Sequence, residues 1–61
     1  MSRITPAERR ALEAVGKYGT VKQAAFAIGK SPRTVEQQLK SARTRLGVET
    51  TVQAVAIAIR E

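Results

Sequence analysis

Arg33, Glu36, Gln37, Lys40, Ser41 and Thr44 recur at helical spacing within residues 31–47, Ser-Pro-Arg-Thr-Val-Glu-Gln-Gln-Leu-Lys-Ser-Ala-Arg-Thr-Arg-Leu-Gly. These are the side-chain types that donate to phosphate oxygens or pair with base edges. On a helix they form one polar face. Val35, Leu39, Ala42 and Leu46, spaced by four, three and four, form the apolar stripe opposite. The chemistry this pattern offers is recognition of a polyanion. The same pattern also fits a solvated amphipathic surface helix, and the stretch alone does not separate the two.

Bond-making chemistry has little to work with. The chain has 61 residues, no histidine and no cysteine. Disulfides and the usual zinc ligands are therefore excluded. Its five acidic residues are scattered, and Ser31 and Ser41 have no base partner. A chain this short encloses no pocket, so the expectation is that it is not an enzyme, with no metal and no cofactor. No apolar run reaches the length of a membrane span and no signal peptide is visible, so no membrane partner is expected and a cytoplasmic place is. Two aromatic residues, Tyr18 and Phe26, make no stacking platform, which argues against single-stranded nucleic acid.

The location of the charge is more informative than its net value of +6. Lys22, Lys30, Arg33, Lys40, Arg43 and Arg45 face only Glu36 within residues 22–45, a net of +5, and the remainder nets +1. A concentrated basic patch suits a partner made of phosphates, because each neutralised phosphate releases counterions. A basic membrane-surface helix would need bulky apolar residues opposite the charge. Here those stripes are required for the core.

The elements that must position the polar face are legible from caps and periodicity. Sixty-one residues make one domain, residues 1–61, whose folding buries only roughly 60% of the unfolded surface. Helices are predicted over about 6–17, 21–28, 32–46 and 51–60. Thr5 with Glu8, Thr20 with Gln23 and Thr50 with Gln53 have capping-box spacing. Ser31 can cap the third helix, and Pro6 and Pro32 stand at first helical positions. Gly19, Gly29 and Gly47 follow the last periodic residues, where a left-handed cap is expected. Ala11, Leu12 and Val15, and then Ala24, Ala25 and Ile28, supply inward positions. Only Gly29, Lys30 and Ser31 separate the second and third helices, a spacing that predicts a helix-turn-helix. In the fourth helix Val52, Val55, Ala56 and Ile59 form one stripe, and Ala54, Ile57 and Ala58 extend the apolar surface beyond it. That excess marks Ala54, Ile57 and Ala58 as a candidate self-association surface.

With these residues in view, the chain resembles the LuxR/GerE-type helix-turn-helix domain of bacterial transcription regulators, a family of bacterial and phage proteins. The likeness runs without gaps from Ile4 to about Ile59. Ile4-Thr5-Pro6 with Glu8 is similar to the family's opening. Lys22, Ala25, Ile28 and Gly29 fall on its scaffold-helix pattern. Ser31-Pro32-Arg33-Thr34-Val35-Glu36, Ala42-Arg43, and Arg45-Leu46-Gly47-Val48 resemble its most specific signature, which Thr50 with Gln53-Ala54-Val55 continues. Gln38 stands where many members have histidine, Ala24 where a larger aliphatic is common, and Phe26 where a polar residue is common. Phe26 is expected either to fold back over the space left by Ala24 or to be an exposed contact. No receiver or ligand-binding domain precedes the likeness in this sequence, which fits a stand-alone regulator or a piece of a longer protein.

The resemblance implies an all-α, four-helix domain whose third helix lies in the major groove and whose fourth supports dimerisation. Glu36, Gln37 and Lys40 match positions that face bases. Thr34, Lys22 and Arg43 match positions that meet the phosphate backbone, and Arg33, Ser41 and Thr44 lie on the same exposed face. Glu36 has two readings, a reader of cytosine N4 or an i, i+4 partner of Lys40. The expected function is sequence-specific binding of double-stranded DNA in transcription regulation, on the nucleoid, as a homodimer at least on DNA. Further partners implied are a larger transcription regulator or RNA polymerase. The alternative is a small interaction protein that pairs with a larger LuxR-type regulator and modulates it. A likeness to the promoter-reading helices of sigma factors is weaker, because Gly47-Val48 and the run from Thr50 to Val55 continue the other pattern.

Overall fold

The computed structural model describes residues 3–60. Met1, Ser2 and Glu61, the ends of the expected domain, lie outside the described residues. The fold is all-α: α1 Pro6–Tyr18, α2 Val21–Ile28, α3 Pro32–Leu46 and α4 Thr51–Arg60. Each boundary has a chemical cause. Thr5 Oγ1 accepts from the Glu8 N–H at 3.1 Å while Glu8 Oε1 accepts from the Thr5 N–H at 2.9 Å, a complete capping box. Thr50 and Gln53 exchange the same pair of bonds at the start of α4. At the start of α2 the Thr20 hydroxyl accepts from the Gln23 N–H, and at α3 the Ser31 hydroxyl accepts from the Thr34 N–H. α2 and α3 both end in a Schellman motif. The Gly29 N–H reaches the Phe26 carbonyl and the Lys30 N–H the Ala25 carbonyl, and Gly47 and Val48 repeat this with Thr44 and Arg43. Gly29 and Gly47 take φ of 69° and 70°, which a β-carbon disfavours.

α1 packs against all three other helices, whereas α2 and α4 do not meet among the described residues. The core joins Ile4, Ala11, Leu12, Ala25, Val35, Leu39, Ala42, Leu46, Ala54 and Ala58. The inward stripe expected of α3, Val35, Leu39, Ala42 and Leu46, is buried throughout. Ala24 and Ala25 are buried on α2 as expected, with Ile28 half-buried. So many alanines let the helix axes approach closely. Gly16 has the same role between α1 and α4, since a β-carbon there would lie 2.9 Å from Val55 Cγ1. Arg9 crosses the same contact and donates to the Ala58 carbonyl at 2.9 Å, satisfying an acceptor near the C-terminus of α4.

The expected outward face of α4 is corrected. Ala54 and Ala58 are buried and Ile57 is half-buried, so Ala54 and Ala58 are core residues rather than a self-association surface. Val52, Ala56 and Ile59 face solvent instead. The reason is steric: α4 lies so close to α1 that alanine fits the contact and the larger Val52 and Ile59 do not. Phe26 is 90% exposed, so it does not fold over Ala24, which its neighbours enclose without it.

Candidate nucleic-acid interface

α3 is held by its buried stripe and presents the reverse face to solvent. Arg33, Glu36, Gln37, Lys40, Ser41 and Thr44 are all exposed on that face. Fifteen residues of α-helix span roughly 22 Å at about 1.5 Å per residue. The structure thus brings together, on one rigid element, the residues singled out from the sequence. The flanks of the face differ. Thr34 and Gln38 lie half-buried on one flank, and Arg43 lies half-buried on the other, against α4.

Individual hydrogen bonds refine what each side chain can offer. The Thr34 and Ser31 hydroxyls are 2.9 Å apart, so the first turn of α3 presents a linked pair of hydroxyls. The Arg43 guanidinium donates to Thr51 Oγ1 at 2.9 Å, which braces α3 against α4 and fixes the direction of that cation. The Thr44 hydroxyl donates to the Lys40 carbonyl at 3.1 Å, a bond back along its own helix, and reaches a phosphate as a donor only by turning away. Glu36 and Lys40 form no ion pair, so both head groups stand free on the exposed face. Lys22 is exposed in the first turn of α2, beside this face in sequence but on a separate helix.

Arg45 departs from the sequence reading. It was counted with the basic patch, but its Nε donates to Glu8 Oε2 at 3.0 Å, tying the end of α3 to the start of α1. Glu8 is 2% exposed. Burial alone would raise its pKa. The hydrogen bond from the Thr5 N–H, the bond and charge of Arg45 and the Thr5 side chain outweigh that and hold it below the ordinary value of 4.5. The signal for this was present: Glu8 shares a helical face with Ala11, Leu12 and Val15, so the capping carboxylate had to point inward. Arg10 was not singled out, and Lys30 was counted with the basic patch but given no contact. They line a cleft of about 110 Å³ with Thr34 and Gln38, which extends the polar surface from α3 onto α1.

Among the described residues no group of acidic side chains is placed to hold a metal ion, and no helix is long and apolar enough to cross a membrane. What the surface offers is a row of donors and acceptors on a straight element, with cations at its edges. No family model, no curated protein and no solved structure matches this chain.

Proposed function

We propose that the protein is a sequence-reading, double-stranded DNA-binding transcription regulator of the LuxR/GerE helix-turn-helix type. In this reading it works in the cytoplasm on the nucleoid and binds DNA as a homodimer. The observation that carries the reading is the two-sidedness of α3: its apolar stripe is buried, and Arg33, Glu36, Gln37, Lys40, Ser41 and Thr44 on the reverse face are all exposed. A major groove about 12 Å wide admits such a helix. Lys22 of α2 and Pro32 at the start of α3 line one groove across the three-residue turn 29–31, which suits a first helix that crosses the backbone and a second that enters the groove.

Within this reading Lys22, Arg33, Thr34, Ser41 and Arg43 set the register on phosphates, with Thr44 joining after its hydroxyl turns. Lys40 donates to guanine O6 and N7, Gln37 pairs with adenine, and Glu36 accepts from cytosine N4. The unpaired state of Glu36 supports a base contact, because a free carboxylate near phosphates opposes binding unless a donor meets it. Dimerisation uses the outward face of α4, Val52, Ala56 and Ile59.

The test is selection of bound duplexes from a random-sequence library at physiological salt. The expected result is an inverted repeat with half-sites about one helical turn apart. Lys40→Ala should then cost roughly 1–3 kcal/mol, concentrated on duplexes that carry its base. No enrichment, with binding that disappears as salt rises, would refute sequence reading and favour a protein that acts by pairing with a larger regulator.

A further inference from the structure

The chain has two aromatic residues, and neither is in the core. Tyr18 is 43% exposed and Phe26, at 90%, is the most exposed large apolar side chain described. Eight positions apart in sequence, they line one open groove of about 780 Å³ between the end of α1, the outer face of α2 and the start of α3. Lys22, Lys30 and Pro32 line it with them, and no carboxylate does. Lys17 does not line the groove but sets its Nζ 5.5 Å from the centre of the Tyr18 ring. α2 buries its inner face with Ala24 and Ala25, so the fold has no use for the Phe26 ring.

We propose that this groove docks an acidic segment of a partner protein that sets an apolar or aromatic side chain on Phe26. Two features select that chemistry. The apolar floor with an upstanding ring suits a side-chain anchor, the kind of contact that dominates protein interfaces. Both charged residues that line it are lysines, with Gln23 the neutral polar one, so the anchor's neighbours must be carboxylates for the contact to gain from charge rather than lose by it.

Other occupants fit less well. A second copy of the chain carries a net +6, and among the described residues its exposed carboxylates are Glu13, Glu36 and Glu49 alone. Two copies joined groove to groove would oppose lysine to lysine. A single-stranded nucleic acid needs a succession of stacking rings along a basic track, and this groove supplies two. The occupant would lie beside α3 rather than on its exposed face. The proposal does not depend on the DNA-binding reading: of the rim cations that reading uses Lys22 for a phosphate and leaves Lys30 unused.

The experiment pans a phage-displayed random dodecapeptide library against the immobilised full chain. Affinities of the enriched peptides are then measured for the wild type, Phe26→Gln and Lys30→Glu. The expected result is peptides that combine Asp or Glu with a large apolar residue. Phe26→Gln should weaken them about tenfold or more, and Lys30→Glu should weaken them too. Both variants should keep the wild-type melting temperature, because both side chains are exposed. Three results would each overturn the proposal: no enriched peptide, peptides indifferent to Phe26→Gln, or a single-stranded oligonucleotide that binds more tightly than the peptides through Phe26. Sedimentation that showed self-association abolished by Phe26→Gln would overturn it in favour of a second copy. None of these readouts uses duplex DNA, so a failure here is distinct from a failure of sequence reading.

Discussion

Gly16→Ala sets two opposed effects against each other, and the structure decides between them. In the interior of an exposed helix the change gains about 0.8–1.0 kcal/mol of helix propensity. Here the new methyl would sit 2.9 Å from Val55 Cγ1, whereas carbon–carbon contacts are optimal at about 3.5–4.0 Å. Val55 is β-branched and has little rotamer freedom on a helix, so relief requires α4 to shift or the side chain to leave its well. Overpacking of this kind costs about 1–3 kcal/mol. The single variant should therefore lose up to about 2 kcal/mol, with each kcal/mol lowering the midpoint of a domain this size by roughly 4–8 °C. Val55→Ala removes the obstructing carbon. Val55 is half-buried, so losing two carbons at about 0.8 kcal/mol per fully buried methylene costs about 0.8 kcal/mol. In that background Gly16→Ala should recover its helix gain of about 1 kcal/mol. The cycle predicts a coupling of about 1–3 kcal/mol and a change of sign, measured by urea unfolding of the four proteins followed by circular dichroism. If Gly16→Ala stabilised both backgrounds equally, the close approach of α1 and α4 would be wrong, and with it the reason that Ala54 and Ala58 face inward.

Glu8 links stability to pH. Its folded-state pKa lies below the ordinary 4.5, so the ionised form stabilises the fold fully above that value and loses the contribution as pH falls through the folded pKa. Glu8→Gln should be less stable than the wild type at pH 7, with the gap closing below about pH 4.5; a gap that persisted unchanged in strong acid would count against the Glu8–Arg45 pair as its source. Arg45 and Arg33 should separate in duplex binding, because Arg45 is tied to Glu8 and Arg33 is free. Arg33→Gln should reduce the slope of log affinity against log salt by about 0.9, while Arg45→Gln should lower the melting temperature and leave that slope unchanged; equal slopes for the two would refute the division. On α4, Ile59→Glu should abolish dimer formation on DNA with little change in melting temperature, since Ile59 is 74% exposed. Ala58→Glu places a charge at a 3% exposed site and should collapse the fold, and the reverse outcome would restore the opposite assignment of faces.

Much of this was legible because local chemistry and periodicity agreed. Thr5 with Glu8, Thr50 with Gln53, and Gly29 and Gly47 mark helix ends through bonds within a few residues, so no tertiary knowledge was needed. On α3 a single stripe of Val35, Leu39, Ala42 and Leu46 leaves one possible exposed face. α4 was different, because it is apolar around most of its circumference. Choosing its inner face by helical spacing picked Val52, Val55, Ala56 and Ile59, of which only Val55 packs against the core, when the spacing between axes selected Ala54 and Ala58. That spacing is set by Gly16 on a helix far away in sequence, and no property of residues 51–60 reports it. The Arg45–Glu8 pair was hidden for the same reason. Each partner had a sufficient local explanation, a cap for one and a basic patch for the other, and only the tertiary fold brings them to 3.0 Å.

The small core also explains where the large side chains went. Of the bulky residues described, only Leu12 and Val35 are fully enclosed, and alanines fill most of the contacts between helices. A fold that packs its axes this closely has no interior room for Tyr18, Phe26, Val52 or Ile59, and these emerge at the end of α1, on α2 and on α4. α2 carries Phe26 on one side of the molecule, α4 carries Val52 and Ile59 on another, and α3 between them carries the polar face. α2 and α4 share no contact, and no residue of α4 lines the groove beside Phe26, so the two exposed apolar surfaces are separate. Both surfaces depend on α1, which like α3 packs against every other helix. A change at Gly16 or Glu8 should therefore reach all three surfaces through the fold, whereas a change at Phe26, Ile59 or Lys40 should reach only its own. Separating those two patterns is the clearest way to tell a residue that recognises a partner from one that holds the recognising helix in place.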